Sequence, residues 1–206
     1  MQKIKTPLNT LIQHLLLVLL AMLTAGLAWA GPKDDALAAY ERKDYAAFLN
    51  IVKPAALKGE AWAQSWLADA YSNGQGVAQS YAEAVKWYRL AAQQGDASAQ
   101  YNLGVMYDNG RGVVQDYAEA VKWYRLAALQ GHANGQNNLG FMYGNGQGVV
   151  QNYVKAHSWY NLSAVSGNAM AIENRDRVAK RMTPQQIADA QKLARDCQAR
   201  QFKGCD

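Results

Sequence analysis

Hydrophobic and polar residues follow a helical pattern in the central part of the chain. Ala99, Leu103 and Tyr107 recur at every fourth position, which places their side chains on one face of a predicted helix. The glycine-rich sequence NGRGV follows, as is typical of a helix end and a turn. A second helix is predicted from Tyr117, because large aromatic residues alternate with alanine there at helical spacing. This stretch therefore predicts a helical hairpin.

The hairpin pattern repeats along the chain with a period of 36 residues. The sequence YAEAVKWYRLAA occurs at 81–92 and again, unchanged, at 117–128. A fixed period of this size predicts an array of stacked units, because one hairpin cannot bury its own apolar face. We therefore predict an all-α protein, an α-solenoid of stacked antiparallel helical hairpins. The full repeats are 61–96, 97–132 and 133–168.

Glycine recurs inside the first predicted helix of the second and third repeats, at Gly104 and Gly140. The first repeat has Ala68 at the same place. A glycine in a helix interior costs about 1 kcal/mol relative to alanine. Its reuse beside the apolar stripe indicates that another helix approaches closely at these positions.

Atypical segments flank the repeats. Residues 31–60 match only part of a repeat and are expected to form an N-terminal cap, whereas residues 169–206 lack the glycine-rich turn and are expected to form a C-terminal helical cap. Within the C-terminal segment, TPQQ from Thr183 fits a capping box with proline at the first helical position. A final capping helix is therefore predicted from about Pro184 to Arg200.

The residues shared by the repeats form the pattern A-x-A-Q-x-x-L-G-x-x-Y-x-x-G-x-G-V-x-x-[DN]-Y-x-x-A-x-x-W-Y-x-x-A-A-x-x-G. This pattern resembles the Sel1-like repeat, a relative of the tetratricopeptide repeat, over residues 61–168. The resemblance implies a non-catalytic binding module whose partner is another protein or a peptide. It also implies one of several roles, since exported bacterial members act as adaptors, regulators or inhibitors in envelope processes, host interaction and immunity against secreted toxins.

The first 30 residues have the layout of a secretory signal peptide. Lys3 and Lys5 precede an apolar run over about 15–27, and Ala28-Trp29-Ala30 follows as a small-x-small exit. We expect cleavage after Ala30 and a mature chain that is periplasmic or secreted, with no stable membrane insertion. A retained anchor is the alternative, although the apolar run is shorter than the ~20 residues of a spanning helix.

Net charge and cysteine content narrow the choice of partner and compartment. The chain carries a formal net charge of +5 with acids among the basic residues, so no nucleic-acid partner is expected. Cys197 and Cys205 lie close together near the C-terminus. In an oxidising compartment this pair predicts a disulfide that fixes the tail, and two free thiols are the alternative.

Motifs of known catalytic sites are missing from the sequence. It contains no nucleophile elbow, S-x-x-K pair, H-E-x-x-H or phosphate-binding loop, so we predict no enzymatic activity, no cofactor and no metal. His132 and His157 lie far apart in the sequence and are expected to be surface residues. Two alternatives stay open, a hydrolase-like activity on a β-lactam or peptidoglycan, and binding of a cell-wall glycan through the tryptophan and tyrosine side chains.

The candidate partner site comes from positions at which the repeats differ. In related helical-hairpin arrays the first helices line a concave groove, and the second, fifth and ninth residues of each repeat would then face it. Aromatic and amide side chains there suit an extended peptide. The alternative is that Tyr101, Val105 and Phe141 pack between neighbouring hairpins. With two asparagines one position further on, the predicted groove residues are Trp62, Ser65, Asp69, Ser98, Tyr101, Asn102, Val105, Asn134, Asn137, Asn138 and Phe141.

Overall fold

The computed structural model describes residues 31–205, and all regular secondary structure in this part of the chain is helical. The predicted signal peptide, residues 1–30, lies outside the described residues. The helices are α1 (Pro32–Glu41), α2 (Tyr45–Leu57), α3 (Ala61–Asn73), α4 (Tyr81–Gln93), α5 (Ala97–Asn109), α6 (Tyr117–Ala128), α7 (Ala133–Asn145), α8 (Tyr153–Val165), α9 (Ala169–Ala179) and α10 (Pro184–Ala199).

The helices pack in the order in which they follow one another along the chain. Helices α3 and α4 pack together, as do α5 with α6 and α7 with α8. Each second helix of a pair also packs against the first helix of the next pair. The main contacts therefore join neighbours in the sequence, and the predicted α-solenoid fold is confirmed.

Polar side chains and glycines fix where each hairpin turns. Ser80 and Asp116 precede α4 and α6, and each accepts a hydrogen bond from the backbone N–H groups of the first helical turn. Gly112 has a positive φ of 73°, and an added Cβ would lie 2.4 Å from the carbonyl group of Tyr81. The turn of one repeat thus rests directly on the second helix of the preceding repeat, where only glycine fits.

The helix-interior glycines allow close packing, as the sequence predicted. A Cβ added at Gly104 would lie 2.7 Å from ring carbons of Tyr124, and one at Gly140 would lie 2.9 Å from ring carbons of Tyr160. Both tyrosines are buried. The first helix of a hairpin therefore accommodates the aromatic ring of the second helix in the space that a methyl group would otherwise fill.

Glutamine side chains link successive repeats. Gln64, Gln100 and Gln136 occupy the fourth position of their repeats, and each donates to a backbone carbonyl of the preceding hairpin. The Oε1 atoms of Gln64 and Gln100 in turn accept hydrogen bonds of 2.7 Å from Gln94 and Gln130. In the third repeat a serine replaces this donor, and the buried Gln136 Oε1 has no partner within residues 31–205.

The C-terminal cap closes the stack on α8. Helices α9 and α10 both pack against α8, and Thr183 with Gln186 forms the predicted capping box at the start of α10. Cys197 and Cys205 form a disulfide, and both are buried in the same apolar cluster as the third repeat. The disulfide therefore holds the end of the chain against the core that it covers.

The prediction that His157 is a surface residue is wrong. Its side chain is buried on α8, where Nδ1 lies 3.1 Å from Asn161 Nδ2. His132 is half-buried and caps α7, because its Nδ1 accepts a hydrogen bond from the Gly135 N–H.

Within residues 31–205, no helix has the length and apolar character required to cross a bilayer.

Candidate functional site

The candidate site is the surface formed by the second, fifth, sixth and ninth residues of the first helix in each repeat, which we call the first-helix face. Ser98, Asn134 and Phe141 are exposed there, and the Phe141 side chain is 44% exposed. The rings of Trp62 and Trp66 form a T-shaped pair with centroids 5.3 Å apart. The half-buried members of the predicted set are Trp62, Asp69, Tyr101, Asn102, Val105 and Asn138.

Two predicted groove residues do not offer their side chains on this face. Ser65 and Asn137 are buried, with exposures of 1% and 6%. Asn137 instead accepts a hydrogen bond of 3.1 Å from Asn174 on α9, so it joins the third repeat to the C-terminal cap. Tyr101 stacks on His132 with ring centroids 4.8 Å apart, so it packs against the residue that caps α7.

Tyrosines of the second helices reach toward this face and meet carboxylates in the first two repeats. Tyr88 donates to Asp69 Oδ1, and Asn102 of the next repeat donates to the same oxygen over 3.2 Å. In the second repeat, Tyr124 donates to Asp108 Oδ2 over 3.0 Å. Each carboxylate is thus oriented by a buried hydroxyl group.

Burial shifts the protonation of these groups. It raises the pKa of Asp69 to about 6; the hydrogen bond from Tyr88 opposes this increase, and the Asp96 carboxylate adds to it. Burial also raises the pKa of Asp108, again against a hydrogen bond from its tyrosine. The pKa values of Tyr88 and Tyr124 are raised by burial and by the adjacent carboxylates. Both phenols therefore act as hydrogen-bond donors at neutral pH.

An aromatic pocket of about 230 Å³ opens at the N-terminal end of the face, between α1, α2 and α3. Its rings form a continuous wall, since Tyr40 and Phe48 have centroids 5.4 Å apart and Phe48 and Trp66 have centroids 6.2 Å apart. We call it the aromatic pocket, and it is lined by Leu37, Tyr40, Phe48, Trp66, Asp69 and Asn73.

Near the third repeat, the first-helix face carries positive charge instead of the negative charge found in the first two repeats. Gly144 stands where the second repeat has Asp108, and the charge of Arg177 on α9 lowers the pKa of Tyr160, which burial raises to about 12. A pocket of about 100 Å³ opens here, which we call the basic pocket. Asp69 and Phe141 are both ninth in their repeats, so the two pockets lie on the same face. The basic pocket is lined by Phe141, Gly144, Asn145, Tyr153, Tyr160, Asn174, Arg177, Val178 and Arg181.

Sequence reasoning missed several residues of these pockets. Trp66 occupies the sixth position of its repeat, as Asn102 and Asn138 do, so extending the same rule to the first repeat would have found it. Leu37 and Tyr40 belong to the N-terminal cap, and the repeat pattern gives them no assigned position. Arg177 follows the last repeat and carries no such signal either.

Other features of the described chain do not extend this site. A cavity of about 380 Å³ lies between α8, α9 and α10, and its lining includes Leu162, Ile172 and Arg195 rather than first-helix residues. Across residues 31–205, no group of three or more His, Cys, Asp or Glu side chains comes together in a way that could hold a metal ion.

The family follows from comparison with known repeats. A model described as the Sel1 repeat matches residues 63–96, 97–132 and 133–168, which is half of the chain. This chain belongs to the Sel1 repeat family. Proteins with Sel1 repeats generally mediate protein–protein interactions and are typically non-catalytic scaffolds. A comparison with curated proteins found no match.

Solved structures of Sel1 proteins resemble this chain in fold. A Sel1 repeat protein from Oxalobacter formigenes is 39% identical, with a TM-score of 0.58, over 63% of this chain and 97% of its own. A protective antigen of uropathogenic Escherichia coli with an SLR fold is 28% identical, with a TM-score of 0.57. That match covers 76% of this chain and 42% of the antigen, so the antigen extends well beyond the shared part.

Proposed function

We propose that this Sel1 protein is exported to the periplasm or beyond and binds another protein or a peptide, without catalysis, along the first-helix face. The face would form a groove for an extended segment of the partner. The protein would then serve as an adaptor, a regulator or an inhibitor of an envelope or effector protein. The predicted signal peptide and the disulfide between Cys197 and Cys205 support export, since disulfides persist in oxidising compartments.

The observation that carries this proposal is the chemical difference between equivalent positions of one repetitive scaffold. The first two repeats have identical second-helix segments, YAEAVKWYRLAA, yet the ninth residues of the three repeats are Asp69, Val105 and Phe141. A position that only packed against neighbouring helices would require a similar side chain in each repeat. Phe141 is instead an exposed aromatic residue, and Asp69 is a partly accessible acid. Such a varied surface on a rigid support suits recognition of a particular partner.

Catalysis gains no support from this geometry. The two carboxylates near the face, Asp69 and Asp108, each accept a hydrogen bond from a tyrosine. The pKa values of Tyr88 and Tyr124 are raised, which is the reverse of the lowering that activates a nucleophile. The hydrogen bonds in these pairs orient the carboxylates of the face.

Site-specific photo-crosslinking in cells tests the proposal. The photoreactive residue p-benzoylphenylalanine is placed at Phe141, or at Leu90 on α4 as a matched control, because both side chains are 44% exposed. We expect a discrete protein adduct from Phe141 and none from Leu90. Excess unlabelled wild-type protein should abolish this adduct by competition, whereas unlabelled Phe141→Asp protein should leave it unchanged.

Three outcomes would contradict the proposal. Equal adducts from both positions would indicate non-specific proximity, and no adduct from Phe141 would leave the face without a partner. Turnover of nitrocefin or muropeptides by the purified protein, abolished by a single substitution, would favour the hydrolase-like alternative. Circular dichroism of each variant confirms that the helical stack is intact.

A further inference from the structure

The aromatic pocket combines an apolar wall with one carboxylate. Its volume of about 230 Å³ lies below the roughly 300 Å³ at which sites for drug-sized ligands begin, so it suits a single side chain. The rings of Tyr40, Phe48 and Trp66 line it together with Leu37, which is 44% exposed. An apolar stem would pack well against these side chains.

The carboxylate of Asp69 is only partly satisfied by the protein. Its donors, Tyr88 and Asn102, both reach Oδ1. Within residues 31–205, Oδ2 accepts no hydrogen bond and is not sealed from solvent. The charged group with the clearest influence on Asp69 is another acid, Asp96, rather than a cation. The pocket therefore ends in a negative charge that lacks a positive partner.

We propose that the aromatic pocket binds the side chain of a lysine or arginine in the partner protein, with its aliphatic stem against Phe48 and Trp66 and its charged end at Asp69. This inference rests on the proposed function. Lysine and arginine bury their stems on apolar surfaces and place their charge at a polar end. Aromatic faces attract cations, and a charged hydrogen bond to a carboxylate strengthens that attraction.

Two features of the surrounding surface support this choice of occupant. The chain's own Lys33 lies with Nζ 6.0 Å from the Trp66 ring centroid, so a cation already lies at the edge of this wall. At the far end of the face, the basic pocket contains Arg177 and Arg181. A basic side chain is thus attracted to one end of the face and repelled from the other, which would also fix the direction of a bound peptide.

Peptide titration tests the inference directly. The probes are acetylated, amidated pentapeptides with the sequence Gly-Gly-X-Gly-Gly, in which X is lysine, norleucine or glutamate. The protein is expressed with its predicted signal peptide and recovered after export. We expect the lysine peptide to shift the NMR signal of the Trp66 indole N–H saturably, and the norleucine and glutamate peptides to bind at least about tenfold more weakly, as the loss of a charged hydrogen bond requires.

Variants separate the carboxylate from the rest of the face. Asp69→Asn should weaken lysine-peptide binding about tenfold and leave norleucine binding unchanged. Asp108→Asn alters the carboxylate that accepts a hydrogen bond from the corresponding tyrosine of the second repeat. It should leave the binding of both peptides unchanged. Lysine-peptide affinity should also fall as the pH drops from 7 to 5, because Asp69 becomes protonated. Tyr88 and Asp96 are the titratable groups that act on Asp69, while Tyr40 lines the pocket and Lys33 lies near the Trp66 ring.

The outcomes distinguish this inference from the proposed function. Equal affinity for the lysine and norleucine peptides, or unchanged lysine binding in Asp69→Asn, would overturn the cation site. Saturable shifts away from Trp66, or no saturable shift at all, would do the same. If the Phe141 crosslink persists under those results, the interaction face stands and only the assignment of its aromatic pocket fails.

Discussion

Gly104 lies directly beneath the ring of Tyr124, and a Cβ at Gly104 would come within 2.7 Å of ring carbons Cδ1 and Cε1. Tyr124 is fully buried and its hydroxyl donates to Asp108, so the ring cannot move aside freely. We predict that Gly104→Ala destabilises the protein by about 1–3 kcal/mol, despite the helix propensity of alanine. Urea unfolding followed by circular dichroism measures the change.

Gly144 provides the matched control for that substitution. It is also a helix-interior glycine, but its added Cβ would make only ordinary contacts, 3.7 Å from Ala156 Cβ and 3.8 Å from the Tyr160 hydroxyl. Gly144→Ala should therefore be neutral or stabilising by up to about 1 kcal/mol. Equal loss of stability in the two variants would contradict the close-approach explanation.

The glutamine donor that is missing from the third repeat predicts a stabilising substitution. Ser166 occupies the position from which Gln94 and Gln130 donate to the preceding glutamine in their repeats. Ser166→Gln should supply the missing donor to Gln136 Oε1 and stabilise the protein by about 1 kcal/mol. Thermal unfolding of Ser166→Gln is compared with that of Ser166→Ala, which adds no donor. Equal melting temperatures for the two variants would count against this account.

The raised pKa of Asp69 predicts how stability depends on pH. Its pKa is about 6 in the folded protein and 3.8 in an unperturbed chain, so the folded state binds more protons between these values. The contribution of Asp69 to stability is therefore present below about pH 4 and is lost as the pH rises through 6, by roughly 2–3 kcal/mol in total.

Replacing Asp69 isolates this contribution. Asp69→Asn cannot ionise, so its free energy of unfolding relative to the wild type should increase between pH 4 and pH 7. The variant should be at least as stable as the wild type at pH 7, while it binds the lysine peptide more weakly. Urea unfolding at several pH values gives the difference. Parallel stability curves for the two proteins would show that burial does not perturb this carboxylate.

The disulfide predicts a redox-dependent stability. Cys197 and Cys205 lie 8 positions apart, and closing so short a loop contributes about 2.5 kcal/mol in the chain-entropy model. The double variant Cys197→Ser with Cys205→Ser should lose about that much stability in an oxidising buffer. Non-reducing mass spectrometry of the exported protein should find the two cysteines joined. Two alkylatable thiols in that protein would argue against an oxidised tail.

Much of the fold could be predicted because its determinants are local or recur at a fixed period. The spacing of Ala99, Leu103 and Tyr107 predicted a helix, and the structure has α5 over those residues. The reuse of Gly104 and Gly140 indicated a close helix approach, and buried tyrosine rings lie there. The burial of His157 follows the same period, since its sister positions carry Val85 and Val121, which are also buried. The prediction of a surface residue was wrong because it followed the polarity of histidine and not its place in the repeat.

The candidate site was only partly predictable. Asp69 and Phe141 were identified from differences between repeats, and they line the two pockets. Ser65 and Asn137 were chosen by the same rule but are buried, and Asn137 is hydrogen-bonded to Asn174 of the C-terminal segment. Position within a repeat gives the direction of a side chain, whereas its exposure depends on the next helix.

The helices, the turns and the order of stacking can be derived from the amino-acid sequence, because each of these depends on contacts within one repeat or with the next. Which of the varied positions form a surface depends on how the helices pack in three dimensions. Leu37, Phe48 and Trp66 come from three different helices, and no sequence period relates them. These side chains come together around Asp69 because of the way α1 and α2 pack on the first repeat. The pocket, and the increase in the pKa of its carboxylate, therefore depend on the folded stack.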